Sequence, residues 1–155
     1  MKIDLKDKKT LKITAVLGAI VLALLVSIIV FLGNGFGKRR IFVFPSVDEG
    51  DYVVEARYMK KNPTKDDVSY YIAELLLGPD SERTKSLFTS GTRVLSCFEE
   101  DGILYVNLSE DLLNLGDNVV PFDEGFELLV KNIKQNFSKI KSVEIYVNGI
   151  AVSKN

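Results

Sequence analysis

Two stretches of the chain repeat apolar residues at the spacing of an amphipathic helix. The first ends at Gly78-Pro79, because glycine can adopt the left-handed conformation that closes a helix and proline cannot continue one. Thr64, with Asp67 three residues later, predicts the cap at its beginning. The face that must be buried consists of Val68, Tyr71, Ile72, Leu75 and Leu76.

The second stretch predicts a helix over about residues 123–137. Its apolar positions also fall on one face, so this helix too must pack against other elements. They are Phe126, Leu129, Val130, Ile133 and Phe137.

Alternating apolar and polar residues predict β-strands around these helices. In the strand over residues 103–108, Tyr105 and Asn107 are predicted to face outward. The alternate positions Leu104, Val106 and Leu108 are predicted to face the core. Asp101-Gly102 and Asn148-Gly149 are typical of tight hairpin turns. The other strands are predicted over residues 41–44, 52–59, 92–98 and 143–147, with a return over 150–152.

This order of elements predicts an α+β fold. Both helices have one-sided apolar stripes, which favours a two-layer sandwich with the helices on one face of a mixed or antiparallel sheet. Helices on both faces would require strands that are more continuously apolar.

A membrane anchor is predicted ahead of this domain. Residues 13–32 carry no charge, and a helix of that length spans roughly 30 Å, which matches the core of a bilayer. We therefore divide the chain into a basic cytoplasmic tail (1–12), a transmembrane helix (13–32), a linker (33–40) and an extracytoplasmic domain (41–155).

The sequence also indicates whether the anchor is cleaved or lipidated, and in which direction it crosses the membrane. The apolar run exceeds the roughly 7–15 residues of a signal-peptide core, which favours retention, although Gly33-Asn34-Gly35 leaves cleavage after Gly35 as the alternative. No cysteine follows the run where a lipid would be attached. Five lysines precede it and three basic residues follow it, which favours an N-terminus inside the cell.

Charge is divided unevenly along the chain. Residues 1–40 contain eight Lys and Arg against two Asp, a net charge of +6, whereas residues 41–155 contain 12 against 19 Asp and Glu, a net charge of −7. An acidic domain repels phosphate, so nucleic acid is not expected as a partner.

The residue types restrict the chemistry. The chain has no histidine, which excludes His-dependent triads and His-containing zinc sites. Its one cysteine, Cys97, lies in an apolar strand and is predicted to be a small buried residue rather than a nucleophile. No catalytic residue, cofactor or metal site is predicted. The acidic runs near Asp48 and Glu99 lack the spacing of a calcium loop and read as solvated turns.

Five stretches of the domain, in this order, resemble the GerMN domain of sporulation and spore-germination proteins. They are residues 53–58, 74–79 (ELLLGP), 90–96 (SGTRVLS), 101–109 (DGILYVNLS) and 143–149 (VEIYVNG). Ser90 replaces a proline that is frequent in the family before Gly-Thr, and the domain is present once, where some members have two copies. The resemblance implies an envelope protein without enzymatic activity, with a fold similar to the ring-building motifs of secretion-like assemblies.

Interaction candidates are Arg57, Glu74, Arg93, Tyr105 and Asn107. Glu74 is expected to be either solvated or paired with Arg57 or Arg93, while Tyr105 is either a sheet-face residue or a surface for sugar rings. Three functions follow: a module that assembles with envelope proteins or with copies of itself, a peptidoglycan- or glycan-binding module, and a hydrolase using two carboxylates. The first is preferred, and the hydrolase is the least favoured.

Overall fold

A computed structural model describes residues 8–33, 37–48, 50–114 and 116–152. The chain divides into two compact units, Met1–Phe36 and Gly37–Asn155. The first unit contains helix α1 (Lys8–Gly33). Within it, Lys12–Phe31 is, in the described part of the chain, the one helical segment long and apolar enough to cross a membrane. The possible cleavage point after Gly35 lies outside the described residues.

The second unit begins with an antiparallel pair of strands, β1 (Lys38–Pro45) and β2 (Tyr52–Met59). β1 starts three residues before the predicted position because pairing continues as far as Lys38, opposite Met59. Arg40, one of the basic residues in this extension of β1, packs on an aromatic ring: its guanidinium lies 4.1 Å from the centre of the Phe137 ring.

Four further strands form a second sheet in the order β3-β4-β5-β6. β4 and β5 are parallel and the other neighbours are antiparallel, so the sheet is mixed and the predicted α+β class is confirmed. Both hairpin turns have two successive residues with positive φ, at Asp101-Gly102 and Asn148-Gly149, as predicted. The strands are β3 (Val94–Glu100), β4 (Ile103–Leu108), β5 (Ser142–Val147) and β6 (Ile150–Ala151).

Helix α2 covers Asp67–Leu76, and its cap differs from the predicted one. Asp66 caps the helix, because its Oδ1 accepts hydrogen bonds from the amides of Val68 (3.0 Å) and Ser69 (2.8 Å). Thr64 does not act as the cap, since its amide and hydroxyl both donate to Asn62 Oδ1 in the preceding turn. Gly78 follows the C-cap residue Leu77, and its φ of 92° is the left-handed conformation expected there.

Helix α3 covers Phe122–Asn136, close to the predicted range, and a one-turn 3₁₀ helix covers Glu110–Leu113. Leu129 and Ile133 are buried as predicted, but the buried face of α3 also includes Gly125, Leu128 and the polar Asn132. A side chain at position 125 would place its Cβ 2.7 Å from the carbonyl oxygen of Leu87, so glycine allows the close approach.

The core of the second unit lies between these helices and the two sheets. All the apolar residues predicted on α2 contribute, with Val68 at the margin and the other four buried. The largest fully buried side chains are Tyr71, Phe42, Phe44, Phe88, Ile72, Leu75, Leu87, Leu104, Leu108, Leu112, Leu129 and Ile133.

Two carboxamides of α3 close one edge of β1. Asn132 accepts a hydrogen bond from the Val43 amide (2.8 Å) and donates one to the Val43 carbonyl (2.9 Å). Asn136, one helical turn later, makes the same pair of bonds with Ile41, at 2.9 and 2.7 Å. The helix therefore replaces a neighbouring strand at this edge, which satisfies backbone groups that would otherwise be buried without partners.

Candidate functional site

The solvent side of the four-stranded sheet carries a cluster of aromatic side chains. Along β4, Leu104, Val106 and Leu108 are buried in the core. Tyr105 and Asn107 therefore lie on the opposite face, as the alternation predicts. The register brings Phe98 of β3 opposite Tyr105, and Tyr146 of β5 opposite Asn107.

These residues form a surface that we call the aromatic face, consisting of Phe98, Tyr105, Asn107 and Tyr146. The rings of Phe98 and Tyr105 are stacked, with their centres 4.9 Å apart and their planes inclined by 14°. Phe98 keeps 56% of its surface exposed. A shallow hollow of about 370 Å³ lies over the face and is lined by Ser96, Phe98, Tyr105, Asn107, Tyr146 and Gly149.

Two polar groups on the aromatic face have fixed positions. Asn107 Oδ1 accepts a hydrogen bond of 3.0 Å from the Gly149 amide, which ties β4 to the β5–β6 turn. The Tyr146 hydroxyl donates to Glu144 Oε2 at 3.1 Å, and this bond raises the pKa of Tyr146 above its ordinary value. Tyr146 therefore stays a neutral phenol at physiological pH.

The charges beside the aromatic face are negative. Glu144 pairs with Tyr105 in the register, so it lies on the same side of the sheet, and Glu100 follows Phe98 at the next outward position of β3. Exposed rings next to carboxylates suit neutral or basic ligands and disfavour anionic ones. Stacking on sugar rings, on prolines or on aromatic side chains is the chemistry that this surface supports.

Arg57 has a structural position away from the aromatic face. Its Nη2 lies 2.7 Å from Glu55 Oε2 and donates to the Gly78 carbonyl at 2.9 Å, just beyond the end of α2. The guanidinium also stacks on the Phe42 ring, 4.7 Å from its centre. Only 17% of this side chain is exposed, so most of it is not accessible to a partner.

The side chains of Glu74 and Arg93 are not part of the cluster that Arg57 forms with Glu55 and Gly78. Arg57 approaches the backbone carbonyl of Glu74, at 3.5 Å, and not its carboxylate. Arg93 lies 3.5 Å from Asp111 and is 75% exposed. Of the two expectations for Glu74, the pairing with Arg57 or Arg93 is therefore wrong. The end of α2 presents carbonyl groups to Arg57, whose carboxylate partners are Glu55 and Asp80. The carboxylate partner of Arg93 is Asp111.

The sequence interpretation missed two residues of the aromatic face. The sequence pattern places Phe98 with its neighbours in one apolar strand and does not distinguish Tyr146 from the rest of its strand. The alternation of side chains along a strand could have placed both residues on the outer face. Phe98 follows Cys97, which packs against the core, and Tyr146 lies between Ile145 and Val147, which also pack against it.

Cys97 packs against the core on the other side of the sheet and is half-buried, where the sequence predicts a buried residue. Burial raises the pKa of its thiol to about 12, so the thiol stays protonated at physiological pH and is a poor nucleophile. Among the described residues, no three His, Cys, Asp or Glu side chains are grouped in a way that would hold a metal ion.

Comparison with known proteins identifies relatives of the second unit. The family model Germane, described as sporulation and spore germination, matches residues 42–153. An uncharacterized lipoprotein of Treponema pallidum (strain Nichols) is 28% identical over 102 residues, which cover 66% of this chain and 76% of the relative.

Two solved structures from Bacillus subtilis share the fold. The first GerMN domain of the sporulation protein GerM matches with a TM-score of 0.58 and 16% identity, over 74% of this chain and 86% of that chain. The tandem GerMN domains of GerM match with a TM-score of 0.58 and 19% identity, over 77% of this chain and 45% of that chain.

Proposed function

Since the chain belongs to the Germane family of sporulation and spore germination domains, we propose that it is a non-enzymatic interaction module of the cell envelope. The family and the lipoprotein relative support an envelope-associated role. The observation that carries the proposal is the aromatic face, where rings are stacked in contact with water and not in the core. Exposed aromatic residues of this kind are typical anchors of protein interfaces.

The partner that we propose is an envelope protein. Proline-rich, aromatic or basic segments fit the chemistry of the face, because they combine stacking with attraction to Glu100 and Glu144. Phe98 and Tyr146 are the expected anchors, since they are the rings on the two outer strands of the face.

Photocrosslinking tests this proposal in native membranes. With benzoylphenylalanine in place of Phe98, we expect a covalent adduct with an envelope protein that mass spectrometry identifies, and we expect Tyr146→Ala to reduce its yield about tenfold. The matched control carries the same probe at Leu113, which is 57% exposed and lies outside the aromatic face. Equal adducts from both positions, or none from position 98, would contradict the proposal.

A second candidate is binding to peptidoglycan. It is favoured by one feature, the hollow where Tyr105, Tyr146 and Asn107 supply two rings and a carboxamide. Co-sedimentation of the full chain with purified cell wall separates the two candidates. Pelleting that Phe98→Ala abolishes supports the glycan, and a chain that stays in the supernatant supports the protein partner.

We also propose that the chain is a single-pass membrane protein with the second unit outside the cytoplasm. Lys12–Phe31 supplies the span, and the excess of lysine before it supports an N-terminus inside. External protease added to intact spheroplasts is expected to degrade the second unit, while the untreated chain resists extraction at alkaline pH. Protection of the second unit until the membrane is lysed would reverse the orientation.

A further inference from the structure

The outer edge of β2 is open. The Ile41 and Val43 amides of β1 donate to α3, so they point away from β2, and their register partners Ala56 and Val54 form non-hydrogen-bonded pairs with them. The amides and carbonyls of Val54 and Ala56 therefore point away from β1. In the described part of the chain, no backbone or side-chain group hydrogen-bonds to them.

This edge lacks two of the usual features that prevent strand pairing, a proline and a bulge. β2 is eight residues long. Its outward side chains are large and exposed: Tyr52 by 50%, Val54 by 61% and Tyr58 by 67%. Unpaired backbone groups next to exposed apolar side chains form a template for an additional strand.

Charges along β2 indicate what that strand is. Acidic Asp51 precedes the strand, and basic Lys60 and Lys61 follow it, all exposed. A strand that is acidic at its beginning and basic at its end is complementary to a second copy of itself running antiparallel.

One register pairs the exposed charges at the two ends of the strand. With Ala56 opposite Ala56 of the second copy, Asp51 faces Lys61 of that copy. Val54 then faces Tyr58 of the second copy, which is a favourable β-branched and aromatic pair. Even-numbered positions fall at hydrogen-bonded sites, so the open groups of Val54 and Ala56 are paired as well.

We propose that this protein forms a twofold dimer through β2, in which two copies add their β1–β2 pairs into one four-stranded sheet. The surface is separate from the aromatic face, since it belongs to the other sheet. A strand pair is smaller than the roughly 1,600 Å² of a standard interface, which is typical of weak, transient association. Confinement of two copies in one membrane raises their effective concentration.

The backbone test uses the full chain reconstituted in vesicles, with association measured by energy transfer between labelled copies. Ala56→Pro removes the amide at the twofold axis but no hydrogen bond to β1, and proline is tolerated at such an edge. We expect this variant to abolish energy transfer and the control Ala56→Ser to retain it. Unchanged transfer in the proline variant, or no concentration-dependent transfer in the parent chain, overturns the proposal.

A charge-exchange series tests the register without altering the backbone. Lys61→Asp is expected to weaken the dimer about tenfold, because both symmetric pairs become repulsive. Adding Asp51→Lys to that variant restores opposite charges and is expected to restore the parent affinity. The control Lys65→Asp alters an exposed lysine outside the register and leaves the affinity within about twofold. Failure of the double exchange to restore binding contradicts this register, and none of these variants changes the aromatic face.

Discussion

Replacing Asn132 with leucine is expected to lower the free energy of unfolding by about 3–5 kcal/mol. Asn132 is fully buried, and its carboxamide bonds to both the amide and the carbonyl of Val43, at 2.8 and 2.9 Å. Leucine fills a similar volume but leaves those two backbone groups buried without partners. Each unsatisfied buried group costs about 1–3 kcal/mol, whereas the Tyr71 hydroxyl keeps its shorter hydrogen bond to the Ile41 carbonyl, at 2.8 Å.

Chemical denaturation monitored by circular dichroism measures the loss. The matched control is Gln135→Leu, which makes the same kind of change at an exposed position of α3 and is expected to alter stability by less than about 0.5 kcal/mol. If both variants were equally stable, the carboxamide would not be closing the edge of β1.

Asn132 also shows which kind of buried residue a sequence pattern does not predict. A helical stripe identifies apolar residues, and it located Leu129 and Ile133 correctly. An asparagine in that stripe interrupts the apolar pattern, and its burial is not expected unless its hydrogen-bond partner is known. That partner is the edge of β1, 89 residues earlier in the chain, and only the tertiary structure brings the two together.

The composition of the aromatic face likewise depends on pairing between strands that are far apart in the sequence. Alternation along β4 was sufficient to place Tyr105 and Asn107 outside the core. Tyr146 joins them only because β5 pairs with β4 in parallel, in a register that brings residues 107 and 146 together. No local pattern specifies that register.

β2 reverses the usual orientation of an amphipathic strand. Alternation predicts a half-buried strand and leaves open whether the set containing Tyr52, Val54 and Tyr58 is the inner or the outer one. These residues are exposed, and the inner positions are occupied in part by Glu55 and Arg57. The charges are tolerated because they pair with each other at 2.7 Å and because Arg57 also binds the end of α2.

Replacing Arg57 with methionine is therefore expected to lower the free energy of unfolding by about 2–4 kcal/mol, somewhat below the 3–5 kcal/mol typical of a fully buried pair because both side chains are partly exposed. Methionine preserves an apolar stem over the Phe42 ring, so the loss comes from the polar contacts. Glu55, with 14% of its side chain exposed, keeps its charge without the Arg57 guanidinium, and the Gly78 carbonyl loses its donor.

The variant Arg57→Met combined with Glu55→Gln separates these two contributions in the same denaturation assay. Glutamine removes the stranded charge, yet its side-chain oxygen can still accept the hydrogen bond from the Asp80 amide, which is 3.1 Å from Glu55 in the parent. We expect the double variant to recover at least about 1 kcal/mol relative to Arg57→Met. A double variant no more stable than the single one would assign the loss to the end of α2. In that case Glu55 would be stable on the inner face of β2 without its arginine, and the unusual orientation of β2 would depend on the hydrogen bonds that Arg57 donates to carbonyls at the end of α2.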